Sequence, residues 1–176
     1  MKGKIFVWLL TTVLLTSAPH LHAQQTGKIA RIGFLDNSTA SGRAVLLEAF
    51  WQEMRKLGWI EGKNITIEYR FAEQKNERLP ELAAELVRLK VDLIVGADTP
   101  ASLAAKSATT TIPIVMASVA DPVGSALVAS LARPGGNVTG FSNLSFELNT
   151  KRLEILKDAL PRLSRVGLLR EAQNSN

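Results

Sequence analysis

The stretch Asp92–Ser118, "DLIVGADTPASLAAKSATTTIPIVMAS", decides the fold. "DLIVG" (Asp92–Gly96) is a short apolar run with the look of a buried strand. "ASLAAKSA" (Ala101–Ala108) is a helix of small residues, suited to close packing on a sheet. "IPIVMAS" (Ile112–Ser118) is a second apolar strand, with Pro113 confined to its start. Strand, helix and strand follow one another within 27 residues, which is the unit of a parallel sheet. Both strands run into an acidic residue near a proline, at Asp98-Thr99-Pro100 and at Asp121-Pro122.

The same alternation extends outward on both sides. Upstream lie a strand at Ala30–Asp36, a polar loop at Asn37–Gly42 and a helix at Arg43–Leu57 stopped by Gly58. The expected core stripe of that helix is Leu46, Leu47, Phe50, Met54 and Leu57. A strand at Ile65–Arg70 follows, and then a helix marked by Leu79, Leu82, Ala83, Leu86 and Val87. Downstream, a short helix is expected at Gly124–Ala132, a turn at Arg133–Asn137 and a strand at Val138–Ser142. A last helix carries Leu153, Leu156 and Leu160, and "RVGLLR" (Arg165–Arg170) reads as a last strand. The expectation is an α/β protein with an open parallel sheet and helices on both faces.

Ligands of such sheets bind beyond the carboxyl ends of the strands. With Thr99 as N-cap and Pro100 in the first helical position, Asp98 is left over at that rim. Asp121 before Pro122 has the same grammar, so two helix starts are expected side by side. Helix N–H groups favour a carboxylate and a spare aspartate favours an ammonium. Such a pocket suits a zwitterion such as an amino acid. Capping alone is the bland alternative for both aspartates.

The chain has 176 residues, 46% of them hydrophobic, and a formal charge of +5. Met1–Ala23 reads as a secretory signal: a basic start, the apolar run Ile5–Leu15 and a polar close, with the cut placed after Ala23. Removal leaves a charge of about +3 and no cluster of basic residues with interleaved aromatics, so nucleic acid is not an expected partner. The expectation is an exported, periplasmic protein with no membrane span after cleavage. There is no cysteine, and both histidines, His20 and His22, lie in the signal. Transition-metal, thiol and imidazole chemistry are thereby set aside, and no cofactor is expected. Gly33 stands without a phosphate-binding pattern. Glu48 with Glu53 and Glu81 with Glu85 read as solvated helix faces, Trp51 and Trp59 as packing residues.

Word after word from about Ile29 to Val166 resembles the ABC-transporter substrate-binding proteins of the TrpX-like family, most specifically "TTTIPIV" (Thr109–Val115) and "LARPGGNVTG" (Leu131–Gly140). The resemblance implies a type I periplasmic-binding fold with flavodoxin-like strand order. Two lobes close on a ligand, which passes to a membrane permease and its ATPase. It implies ligands such as amino acids, tryptophan among them, and no enzymatic activity. Carried onto this chain it implies a site at Asn37 and Ser38, at Ala97, Asp98 and Thr99, and at Ser118, Val119, Ala120 and Asp121. It also implies a first lobe at 28–142, and a crossover with a truncated start of lobe two at 143–176. The alternatives are a flavodoxin-like hydrolase using Asp98 or Asp121, and a decayed or sensory module without a ligand.

Overall fold

The computed structural model describes residues 28–143 and 145–167. The expected signal segment lies outside them. Five parallel strands form one sheet: β1 (Ala30–Asp36), β2 (Ile65–Phe71), β3 (Leu93–Gly96), β4 (Ile114–Val119) and β5 (Val138–Ser142), in the order β2-β1-β3-β4-β5. This is the flavodoxin-like order, in which winding reverses after the first crossover. The helices are α1 (Ala40–Lys56), α2 (Leu79–Arg88), α3 (Thr99–Ala108) and α4 (Ser145–Ala159).

Reversed winding puts α1 on one face of the sheet and α2 and α3 on the other, and side-chain contacts bear this out. Gly33 of β1 faces Leu86 of α2, and Gly96 of β3 faces Ser102 of α3. On that face Leu35, Ile94, Ile114, Met116 and Val138 pack against Leu82, Ala83, Leu86, Ala101 and Ala105 to form the core. The stripe expected of α2 is the stripe observed, with Leu79, Leu82, Ala83 and Leu86 all buried.

The opposite face carries Phe34, Tyr69 and Phe71, whose rings touch one another. There the indole N–H of Trp51 in α1 donates to the Tyr69 hydroxyl at 2.8 Å. Trp51 is thus a packing residue with a polar anchor. α1 departs from expectation in its contact stripe. No residue of it is fully buried, and the half-buried ones are Arg43, Leu47, Trp51 and Met54. Leu46, Phe50 and Leu57 are exposed. Steps of four and three residues follow a narrower line than the apolar residues do, because α1 meets only the β1–β2 side of the sheet.

α1 also begins at Ala40, earlier than the polar run implied. Thr39 is its N-cap, extended at φ −102°, with its hydroxyl accepting from Gly42 N–H at 3.1 Å. Its far end is a Schellman turn: Gly58 at φ +84° donates to Arg55 C=O and Trp59 donates to Met54 C=O. Thr39→Ala removes the one side-chain acceptor at the start of a helix with little burial to hold it. A loss of about 1 kcal/mol is expected in urea denaturation, with the first turn of α1 losing amide protection before the rest.

Two expected elements are not seen among the described residues. Residues 124–132 form turns, not a helix. Asp121 closes a turn onto Gly124, and Ala126 takes φ +57°, a conformation that ends helical propagation. The buried Leu127 and Val128 nevertheless join the core. Residues 165–167 are not a strand, and the remainder of that expected element lies outside the described residues.

Candidate functional site

The carboxyl ends of β1, β3, β4 and β5 form a common rim. β1 ends in Asp36, whose side chain is 0% exposed. Its Oδ1 accepts from the Ser38 N–H at 2.7 Å and its Oδ2 from Arg43 Nε at 2.6 Å. The same Nε lies 3.1 Å from the Ser38 hydroxyl. The Asn37–Ser38 ledge is backed by the loop after β2, since Gln74 N–H donates to Asn37 C=O and Glu73 N–H to Ser38 C=O. Among the described residues Asn37 Oδ1 is buried without a hydrogen-bond partner. An acceptor left so costs roughly 1–3 kcal/mol.

β3 delivers Ala97, Asp98 and Thr99 to the rim, and the ladder continues one residue past the strand through Ala97 N–H to Leu35 C=O. The expected division of labour between Asp98 and Thr99 is corrected here. Asp98, at φ −144°, is the N-cap of α3; its Oδ1 accepts from Ala101 N–H at 2.9 Å. Thr99 and Pro100 are the first two helical residues. Asp98 is therefore not left over by the cap. Its second oxygen, however, points to β1, accepting from Asn37 N–H at 3.2 Å with Arg43 Nη2 4.0 Å away.

Burial pushes the Asp98 carboxyl above the usual aspartate range. The N–H groups of Ala101 and Asn37 work against that, Asp36 adds to it, and Arg43 lowers it. A raised native value means that the folded chain holds this proton more tightly than the unfolded one. Folding stability from this group is thus full below the unfolded value and declines as pH rises through the folded one. The ionised carboxylate is held at a cost that a bound cation would relieve.

β4 delivers Ser118, Val119, Ala120 and Asp121, after a register shift against β5 between Met116 and Val119. Ser118 is exposed, and its hydroxyl accepts from the Asn143 amide at 3.4 Å. Val119 is 0% exposed, so its side chain is core and only its backbone serves the rim, accepting from Asn143 N–H at 3.0 Å. Asp121 does not start a helix. Its Oδ1 accepts from Gly124 N–H at 2.7 Å and its C=O from the Ser125 N–H and hydroxyl. One helix start and one tight turn therefore stand on neighbouring strand ends, where two helix starts were expected.

The periodicity reading missed Asp36 and Arg43. A strand-terminal aspartate followed seven residues later by an arginine is the one signal the sequence carried, and it becomes meaningful only when the loop after β3 is known to lie alongside. Among the described residues no group of three or more His, Cys, Asp or Glu side chains could hold a metal ion. No helix among them is long and apolar enough to cross a membrane.

A reversed-winding parallel sheet with a polar rim at its carboxyl ends defines a doubly wound α/β protein with a ligand-binding edge. The particular family follows from comparison with known proteins. The chain belongs to the ABC transporter substrate binding protein family, whose family model matches residues 40–176. It is 36% identical over 130 residues to a tyrosine-binding protein of Clostridioides difficile (strain R20291), covering 73% of this chain and 37% of that protein. Among solved structures it is similar to a conserved domain protein of Vibrio cholerae, with a TM-score of 0.69, 34% identity and coverage of 77% of this chain and 45% of that one. It is also similar to an ABC domain from Streptococcus pneumonia in complex with L-Trp, with a TM-score of 0.60, 31% identity and coverage of 65% and 39%. The chain thus spans less than half the length of these relatives.

Proposed function

We propose that this chain is the first lobe, at residues 28–142, of an exported solute-binding protein that serves an ABC importer. Its rim takes the charged end of a small zwitterionic solute, an amino acid or close analogue. Aromatic amino acids are the first candidates, because similar proteins are named for tyrosine or hold L-Trp. Residues 143–176 then form the crossover and the start of a second lobe, and a permease with its ATPase are the partners. The signal segment, cut after Ala23, directs the chain to the periplasm. The family consists of binding proteins, and the same non-enzymatic role is proposed here.

The observation that carries this reading is the Asp98 carboxylate at the rim, 24% exposed, with Arg43 no nearer than 4.0 Å. A carboxylate so placed suits an ammonium. The hydroxyls of Ser38, Thr99 and Ser118 supply donors for a carboxylate. A hydrolase reading draws no support, since Asp98 is engaged as a cap and Asp121 in a turn.

One lobe taken without the other would leave a ligand half in water, whereas binding sites bury most of a small ligand's surface. Weak binding is expected of residues 24–176 taken by themselves. In amide NMR of the labelled chain, millimolar L-tyrosine or L-tryptophan should shift the signals of Asn37, Ser38, Asp98, Ser118 and Asp121. Calorimetry should show no submicromolar affinity. Shifts confined to residues away from the rim would overturn the site, and submicromolar binding would overturn the need for a second lobe.

A further inference from the structure

Asp36, Arg43 and Asp98 come from three separate elements, and Arg43 stands between the other two. Its guanidinium is held by Asp36 at 2.6 Å and reaches only to 4.0 Å from Asp98. Asp36 is fully buried, while Arg43 and Asp98 are 27% and 24% exposed. The arginine is therefore committed to the buried carboxylate and stands beside, rather than on, the exposed one. Two carboxylates and one guanidinium leave one negative charge, and geometry places it on Asp98, at the solvent side.

We propose that Asp36 and Arg43 are positioning residues that set the charge the rim shows to a ligand: Asp36 keeps Arg43 from neutralising Asp98, so the rim selects a solute bearing a cationic group. This deepens, and rests on, the reading of the rim as a zwitterion site. It gives Arg43 a second task as well. α1 has few other holds on the sheet, and the clasp fixes its first two turns beside the Asn37–Ser38 ledge. The charged groups facing Asp98 are Asp36 from β1 and Arg43 from α1; its other partners are the N–H groups of Asn37 and Ala101.

The test needs no ligand. Carbon-detected NMR of the aspartate carboxyls in the full chain follows the Asp98 titration in wild type, Asp36→Asn, Arg43→Gln and Arg43→Lys. In Asp36→Asn a like charge is gone and the guanidinium is released toward Asp98, so the midpoint should fall by about one pH unit. In Arg43→Gln the cation is gone, so it should rise by about as much. Arg43→Lys keeps the charge and should stay near wild type. A purely structural role would move both neutral variants the same way, or neither, and that result overturns the proposal. Should Arg43→Gln fail to fold, the fall in Asp36→Asn and the retention in Arg43→Lys decide the matter. Tyramine, with an ammonium and no carboxylate, and 3-(4-hydroxyphenyl)propionate, with the reverse, form a separate arm on wild type. Opposite titration shifts with no rim response to tyramine leave the clasp standing and sink the zwitterion reading. A tyramine response with unmoved titrations does the converse.

Discussion

Gly140→Ala is expected to detach β5 from the sheet. Gly140 sits at φ +136°, a conformation that side-chain-bearing residues rarely adopt. An added Cβ would stand 2.1 Å from the Met116 carbonyl oxygen and 2.7 Å from the Met116 nitrogen. Both obstacles are backbone of the paired strand, so no rotamer change can make room. Strain and clash act together, and a loss of about 3 kcal/mol or more is expected. Among the described residues β5 is an edge strand, paired with β4, so the damage should be local first. Hydrogen exchange should quicken at Ile114, whose N–H donates to Asn137 C=O, and at Asn143, whose N–H donates to Val119 C=O. The β1–β3 amides should keep their protection until global unfolding. A variant within 1 kcal/mol of wild type in urea, with β4–β5 protection intact, would show that the strands do not approach this closely. Because β5 leads to Asn143 and the segment beyond, the same variant tests whether the crossover depends on β5 being docked.

The parallel order was legible in the sequence because burial on both faces leaves near-continuous apolar strands, and "GFL", "LIVG" and "IVM" are of that kind. The contact face of α2 was legible because a two-sided contact, with the sheet and with α3, selects a broad stripe. α1 was misread for the opposite reason. It touches a narrow part of the sheet, so its outward Leu46 and Phe50 obey helical spacing without being buried. Capping was legible as chemistry but not in register. Asp98-Thr99-Pro100 allows either residue to cap, and the Asn37 N–H that draws Asp98 toward β1 lies 61 residues away. The expected helix at 124–132 had good local apolar spacing, yet Asp121 side-chain competition and one residue at positive φ were enough to keep it a run of turns. Asp36 and Arg43 show the limit most clearly. Their pairing is local, seven residues apart, but it stands beside Asp98 only through the close approach of β1 and β3.

Gly96→Ala is expected to disturb the core and the rim by a single displacement. A Cβ at this position would lie 2.4 Å from Ser102 Oγ, 2.9 Å from Ser102 Cα and 3.0 Å from Ser102 N. The hydroxyl could turn aside, but the backbone of α3 could not without lifting from the sheet. Ala101, Ser102 and Ala105 are all fully buried beneath that helix, which is why the segment is built from small residues. Lifting α3 opens contacts along its whole inner face, and overpacking of this kind costs about 2–3 kcal/mol. The N-cap moves with the helix. As α3 rises, Asp98 withdraws from the Asn37 N–H and from the side of Arg43 on which its charge depends. The Asn37 amide should lose protection and the Asp98 titration should shift, in a variant that still folds at low temperature. Gly136→Ala is the matched control: a Cβ there meets nothing within 4 Å and its φ lies outside the positive region, so stability should stay within about 0.5 kcal/mol. If Gly96→Ala lost stability while the Asn37 and Asp98 signals stayed in place, the rim would be set by its own loops. Movement of both together would show that the close seat of α3 on β3 holds the Asp98 carboxylate where it is.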